Sequence, residues 1–192
     1  KNKMGQVKWY KQPTTDNIYL VTLDPSSGTG GDNAAIQVIE VPTMIQVAEW
    51  QHNKSPVEKQ MKVMMEIMHY IKEQTKNLSQ IYWTVENNSI GEAALVVIRD
   101  TGEESFPGDF LHEPKRIQGK KGRKGYHTTH KNKMEACLQL KRLVESNKIH
   151  LHSKALVSEL KSFVSSGNSF KAKPGATDDL VMALVRAIRI TE

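Results

Sequence analysis

Cysteine and long hydrophobic segments are the features this chain of 192 residues lacks most clearly. Its single cysteine, Cys137, excludes an internal disulfide and any zinc site built from several cysteines. A reducing compartment is the default expectation for such a chain. No apolar stretch approaches the roughly 20 residues that cross a bilayer, and the first 17 residues contain no apolar signal-peptide core. We therefore expect no membrane contact.

Nucleotide-binding motifs are also missing. The glycine-rich segment "SSGTGGDN" at positions 26–33 does not end in the Lys-Ser/Thr pair of a P-loop. A predicted strand follows it, whereas both the P-loop and the dinucleotide fingerprint require a helix there. No GxxxxGK[ST] motif occurs anywhere in the chain. The sequence thus argues against an ATPase or a dinucleotide-binding domain.

What the chain contains is typical of a folded domain. Apolar residues make up 38% and charged residues 25%, which is enough to form a packed core. The formal net charge of +6 suits an anionic partner, although charge alone is weak evidence for one.

The hydrophobic pattern predicts an α/β fold with a mixed sheet flanked by helices. Antiparallel strands are predicted at 18–23, 34–41 and 44–50, and short strands at 81–85 and 149–151. Helices are predicted from a Ser55–Pro56 cap to about Thr75, over 134–145 and 153–163, and from a Thr177 cap onward, with a turn at 165–169. The segment "NNSIGEAALVVI" is predicted as a loop followed by a helix that runs to about Arg99. We divide the chain into a loosely attached lead-in from a longer chain (1–17) and one domain (18–192), which contains a basic, flexible insertion (103–133).

Acidic residues stand at the ends of three predicted elements. Asp24 ends the first strand, Glu86 ends the fourth, and Asp178 and Asp179 open the last helix. If the two strands are parallel neighbours, their C-terminal ends lie side by side, about 5 Å apart, and a helix start packed over that edge brings a third carboxylate within reach. Such a cluster suits Mg²⁺ or Mn²⁺, and a pair of these ions catalyses phosphodiester cleavage. Each residue could instead cap a turn or helix.

Basic residues concentrate between Pro114 and Met134, where no acidic residue occurs. A segment of this kind can bind phosphates without reading bases, although it can also be a solvated loop. The candidate DNA-binding residues are Lys115, Arg116, Lys120, Lys121, Arg123, Lys124, Lys131 and Lys133.

Four segments in order give the chain a family resemblance: "LVTLDPSSGTGGDN", "WTVENNSIGEAAL", "GYHTTHKNKMEACLQLKRLVESNKIHLHSKALVSELKSF" and "GATDDLVMALVRA". Together they resemble the nuclease domain of the large terminase subunit of tailed bacteriophages, of the myophage type. The resemblance covers residues 16–190. It implies an RNase H-like (resolvase-like) fold with a basic loop or hairpin insertion, and a two-metal endonuclease that cuts concatemeric viral DNA during packaging.

Carried over by position, the resemblance implies metal ligands at Asp24, Glu86, the Asp178–Asp179 pair and Asp32. On a helical wheel Asp178 falls on the core side with Val181 and Val185, whereas Asp179 falls on the solvent side with Arg186. This pattern favours Asp178 as the direct ligand and leaves Asp179 as a second one.

The resemblance also implies partners. These are double-stranded DNA and, in the full-length protein, an ATPase domain, the small terminase subunit and the portal. It places the protein in the host cytoplasm, at the procapsid portal during packaging. Two alternatives remain open at this point. One is a Holliday-junction-resolvase-like nuclease, and the other is a non-catalytic DNA-binding or motor-docking module.

Overall fold

A computed structural model of the chain describes residues 5–87, 89–112, 125, 129–166, 169–172 and 177–191. Six strands form one sheet in the order β1-β4-β3-β2-β5-β6, and β7 and β8 form a separate two-stranded hairpin. The strands are β1 Lys8–Trp9, β2 Ile18–Asp24, β3 Ala34–Val41, β4 Ile45–His52, β5 Gln80–Val85, β6 Asp109–Phe110, β7 Phe163–Ser166 and β8 Ser169–Ala172. The helices are α1 Val57–Gln74, α2 Ser89–Thr101, α3 His130–Glu145, α4 Lys154–Ser162 and α5 Asp179–Ile190.

Strand β2 lies between an antiparallel and a parallel neighbour. Its residue Asp24 pairs with Ala35 of antiparallel β3. On its other side, Leu23 pairs with Val85 of parallel β5. The mixed α/β sheet predicted from the sequence is confirmed. The first and fourth predicted strands, β2 and β5, are adjacent and parallel, which is the condition under which their acidic ends lie together.

One face of the sheet packs against α1 and α2. Alternate residues of β2, Tyr19, Val21 and Leu23, belong to this core, as does the methionine stripe of α1 at Met61, Met64 and Met68. The stripe is therefore core filling, because flexible methionine side chains pack well between a helix and a pleated surface.

The other face of the sheet packs mainly against α5, with α3 and α4 outside it. The hydroxyl of Thr22 donates to the carbonyl oxygen of Ala183 at 2.8 Å, which fixes α5 across β2. Because strand side chains alternate between faces, Asp24 shares this face with Thr22. The end of β2 thus directs its carboxylate towards α5.

The N-terminal segment is better attached than the sequence predicts. Lys8 pairs with Glu49 of β4, and Lys11 forms an ion pair of 2.7 Å with Glu40. The edge strand consists of only two residues, Lys8 and Trp9, so composition and alternation give little signal there.

The structure describes residues 103–112, 125 and 129–133 of the predicted insertion 103–133. A 3₁₀ turn at Glu103–Ser105 and strand β6 bring Phe106 and Phe110 onto Trp83 of the core, with ring centroids 4.8 and 4.3 Å from that of Trp83. Helix α3 begins at His130, four residues before its predicted start, because Thr129 and Asn132 form a capping box.

Three further predictions need correction. Pro56, not Ser55, occupies the cap position of α1, and Ser55 pairs with His52 through its hydroxyl. Three residues of the predicted turn at 165–169 belong to paired strands, Ser165 and Ser166 to β7 and Ser169 to β8. The predicted strand at 149–151 is a single bridge from His150 to Ile45. Within the described segments, every helix is too short or too polar to span a bilayer.

Candidate metal centre

Asp24 and Glu86 lie side by side at the carboxyl ends of two parallel strands. The Glu86 N–H donates to the Leu23 carbonyl oxygen at 3.0 Å, which continues the β2–β5 register by one step. The side chain of Asp24 is 19% exposed and that of Glu86 is 5% exposed. Thr84 pairs with Thr22, whose side chain faces α5. Glu86 lies two residues after Thr84, so its side chain is on the same face of the sheet as that of Asp24.

The start of α5 brings two more carboxylates to this edge. Asp178 occupies the N-cap position and Asp179 is the first helical residue, and both are half-buried. The Asn33 N–H donates to an Asp179 oxygen at 3.4 Å, so the loop between β2 and β3 meets the helix here. Asp32 is exposed on the same loop.

The electrostatics of Asp24 show how close these groups are to one another. The pKa of Asp24 is raised to about 6, mainly by burial; Arg186 opposes the rise, and Asp179, Asp178 and Asp32 add to it. Burial likewise raises the pKa of Asp179, the Asn33 N–H counteracts this, and Asp32 and Asp178 add to it. Negative charge is therefore disfavoured at this edge of the sheet.

A divalent cation fits the chemistry of this donor set. Clustered carboxylate oxygens are the hard ligands that Mg²⁺ and Mn²⁺ prefer, and a cation would offset the mutual repulsion. As they stand, however, no three His, Cys, Asp or Glu side chains of the described residues converge into a ligand group. The carboxylates of Asp24 and Glu86 instead lie next to a guanidinium group.

That guanidinium belongs to Arg186, which the sequence analysis placed on the solvent side of the last helix. This assignment is wrong, because Arg186 is only 3% exposed. One of its terminal nitrogens lies 3.9 Å from Asp24, and the other forms an ion pair with Glu86. The helical wheel failed because α5 is covered on nearly all sides. The sequence feature that could have revealed a buried charge is an arginine placed directly between Val185 and Ala187 in a largely apolar helix.

A second residue that the sequence analysis missed is Glu159 of α4. Its carboxylate accepts from the Thr177 hydroxyl at 2.9 Å and from the Val181 N–H at 3.1 Å. Thr177 is therefore not the helix cap that the sequence predicted. Instead Glu159 satisfies the free N–H groups at the start of α5 and holds the Asp178–Asp179 segment in place.

The choice between Asp178 and Asp179 stays a prediction. The helical wheel favoured Asp178 on the ground that Asp179 faces solvent, but both side chains are half-buried. Asp179 also has an anchoring contact from Asn33. The burial on which the preference rested therefore does not separate the two residues.

Of the eight basic residues predicted to bind DNA, two lie in described positions, and both are on α3. Lys131 is exposed and reaches Glu135 at 3.9 Å. Lys133 is half-buried. Burial raises the pKa of the Cys137 thiol to about 11. Lys133 lowers this pKa and Asp178 raises it, which places both Lys133 and the start of α5 near the thiol. The other six lie outside the described residues: Lys115, Arg116, Lys120, Lys121, Arg123 and Lys124.

The described residues on either side of these six, Leu111–His112 and Gly125, lie next to β5, the strand that leads to Glu86. Leu111 N–H donates to the Trp83 carbonyl at 2.8 Å, and His112 bridges to Gly125. Gly125 has a φ of +73°, and a Cβ there would lie 2.7 Å from the Val85 carbonyl oxygen. Glycine is required at this position, since the returning chain lies directly on the strand that precedes Glu86.

The mixed sheet between helical layers, with acidic residues at the ends of neighbouring parallel strands, agrees with the RNase H-like fold that the resemblance implies. A model of the terminase RNaseH-like domain matches residues 21–189, so the chain belongs to that family. The resemblance to the nuclease domain of large terminase subunits is thereby confirmed at the level of family and fold.

Solved structures support the same fold. The large terminase nuclease of thermophilic phage G20c with bound magnesium is 16% identical at a TM-score of 0.70, over 97% of this chain and 88% of that one. The Thermus phage P74-26 nuclease domain is 16% identical at 0.65, over 95% and 84%. The human cytomegalovirus terminase nuclease domain is 16% identical at 0.69, over 91% and 83%.

Proposed function

We propose that this chain is a metal-dependent endonuclease that cuts concatemeric double-stranded viral DNA during genome packaging. The observation that carries the proposal is the juxtaposition of Asp24 and Glu86 on adjacent parallel strands, under the helix that begins with Asp178 and Asp179. Family membership supplies the context in which such an edge is a nuclease site.

The residues that would hold divalent ions are Asp24, Glu86 and the Asp178–Asp179 pair, with Asp32 as a further ligand. Two ions, Mg²⁺ or Mn²⁺, are proposed, and they would supply water activation and stabilisation of the leaving oxygen. The G20c nuclease has been solved with magnesium and with cobalt, which supports a divalent requirement in this fold. Asp24 and Glu86, fixed by the β2–β5 ladder, would define where the scissile phosphate lies.

The DNA would be held by the predicted basic residues, six of which lie in the sequence between His112 and Gly125. Gly125 lies so close to β5 that a Cβ there would be 2.7 Å from the Val85 carbonyl oxygen, so this part of the chain starts and ends next to Glu86. Lys133 would add a positive charge from α3, near the start of α5. Contacts of this type neutralise phosphates and do not read sequence.

The wider assembly follows from the family. We propose that residues 18–192 act as the nuclease domain of a large terminase subunit, joined to an ATPase domain in the full-length protein. The small terminase subunit, the portal and a location at the procapsid portal in the host cytoplasm belong to the same proposal.

The direct test is incubation of supercoiled plasmid with the purified chain, with and without Mg²⁺ or Mn²⁺. We expect metal-dependent cleavage by the wild type and loss of at least about a hundred-fold in rate in Asp24→Asn and Glu86→Gln, as is typical when electrostatic stabilisation of a transition state is lost. Asp100→Asn is the matched control, since its side chain is 66% exposed on α2.

The same assay separates the alternatives. Faster cleavage of four-way junctions than of linear duplex would point to a resolvase. Duplex binding with no metal-dependent product would point to a non-catalytic module. Cleavage by Asp24→Asn at the wild-type rate would remove the proposal altogether.

A further inference from the structure

Arg186 is a buried positive charge placed at the carboxylates that the proposed nuclease needs for its ions. Its side chain is 3% exposed, pairs with Glu86 and lies 3.9 Å from Asp24. The helix that carries it is fixed on β2 by the hydrogen bond from Thr22 to Ala183, one turn before Arg186. The guanidinium therefore cannot swing to solvent without disturbing the α5–sheet packing.

A buried carboxylate without a counter-charge is strongly destabilising, so Arg186 stabilises the folded chain. The same charge acts against a divalent cation, because like charges a few ångströms apart repel strongly in a poorly hydrated site. Glu86 cannot give its full negative charge to an ion while it is paired with the guanidinium. One residue thus has two opposite effects, one on folding and one on ion binding.

We propose that Arg186 is a positioning residue that holds Glu86 and Asp24 in place and sets the divalent-ion concentration needed to load the site, by competing with the ion for these carboxylates. This inference rests on the proposed function. The competition makes ion binding weaker than the number of carboxylates implies, so that a higher ion concentration is needed to fill the site. In this way nuclease activity is coupled to the rearrangement of a single ion pair.

A purely structural arginine predicts something different. Its removal would lower the melting temperature equally at every ion concentration and leave the ion affinity unchanged. A competing arginine predicts a lower melting temperature without ion and a larger stabilisation by ion. A ligand that binds the folded state stabilises it in proportion to RT ln(1 + [L]/Kd), so the two cases are separable by thermal melts alone.

The experiment is a melting-temperature titration of wild type, Arg186→Met, Arg186→Lys and Arg99→Met with Mn²⁺ and, in parallel, with Ca²⁺. Methionine keeps the length of the side chain without its charge, lysine keeps the charge, and Arg99 is 74% exposed on α2. Isothermal titration calorimetry gives the ion affinity independently.

We expect Arg186→Met to melt lower without ion and to have a roughly ten-fold lower ion Kd, so that it reaches a given ion-induced stabilisation at a roughly ten-fold lower ion concentration. The lysine and Arg99 variants should keep the wild-type Kd. If Arg186→Met does not fold without ion, Mn²⁺ should restore its folding; failure to do so at any concentration overturns the inference.

An unchanged or higher ion Kd in Arg186→Met, with the wild type responding normally, also overturns the inference while leaving the proposed nuclease intact. A wild type that neither binds ions nor cleaves DNA instead removes the proposed function itself. The two failures are therefore distinguishable within one set of melts.

Discussion

At the scale of single residues, the strand-end aspartate carries a stability cost along with its proposed function. Burial and three neighbouring carboxylates raise the pKa of Asp24 to about 6, so its charged form is less favourable in the folded chain than in the unfolded one. Arg186 offsets only part of this, since it lies 3.9 Å away. Catalytic carboxylates commonly show such shifts, because the arrangement that suits an ion is strained for the protein alone.

Asp24→Asn should therefore keep or slightly raise the melting temperature in ion-free buffer at pH 7, while cleavage is lost. The amide occupies the same space and removes the repulsion with Asp178 and Asp179. Ion-induced stabilisation should fall sharply in the same variant, and duplex binding should stay within about two-fold of wild type, because the phosphate contacts are elsewhere. Thermal melts and a gel-shift titration measure these quantities. A drop of several degrees without ion would show that Asp24 is held by Arg186 more than it is repelled by its neighbours.

The sequence was sufficient to find Asp24 and Glu86, because both follow apolar runs and parallel strands end at one edge. Arg186 could not be found in the same way. A helical wheel assumes one buried and one exposed face, and α5 is enclosed by the sheet, α3 and α4. A charged residue inside such a helix is visible only once its partners, Asp24 and Glu86, are known to lie opposite it.

At the scale of elements, the first turn of α5 is held in position by a residue of another helix. Glu159 accepts from Thr177 and Val181, and so replaces the side-chain cap that Asp178 does not provide. Sequence patterns reveal caps that lie within about three residues of a helix start, such as Thr129 and Asn132 at α3. A cap supplied from 20 residues away leaves no such pattern. This is why Thr177 was predicted as the cap.

Glu159→Ala should destabilise the chain by about 1–2 kcal/mol, since a helix cap and a buried hydrogen-bonded acceptor are lost together. It should also reduce cleavage, because the Asp178–Asp179 segment loses its anchor. Glu159→Gln keeps an acceptor oxygen and should lose less of both. Chemical denaturation and the plasmid assay, run on both variants, give the comparison. Equal cleavage by Glu159→Ala and wild type would mean that the start of α5 is held by Asn33 and packing alone.

At the scale of the whole molecule, the net charge of +6 does not by itself say which side of the protein binds an anion. His112 and Gly125, the described residues on either side of six predicted DNA-binding residues, lie beside the end of β5. The lysines of α1 instead belong to a helix that packs on the sheet face away from α5. The proposed nuclease would therefore hold DNA at the carboxylate edge and not at α1. Composition predicted an anionic partner, but the fold is needed to say which side of the molecule would meet it.

Two variants with the same loss of charge test this directly. One replaces Lys120, Lys121 and Lys124 of the basic segment by glutamine, and the other replaces Lys59, Lys62 and Lys76, which are exposed in or just after α1. If the segment contacts phosphates, the first variant should lower the slope of log binding constant against log salt concentration by roughly 2 to 3, since each lost contact contributes about 0.9. The second should leave the slope nearly unchanged, because net charge alone does not fix where counterions are released. Fluorescence anisotropy of a labelled duplex over a range of salt concentrations measures both. Equal slopes in the two variants would make the basic segment a solvated loop and leave the bound duplex to be held by Lys133 and other groups near α5.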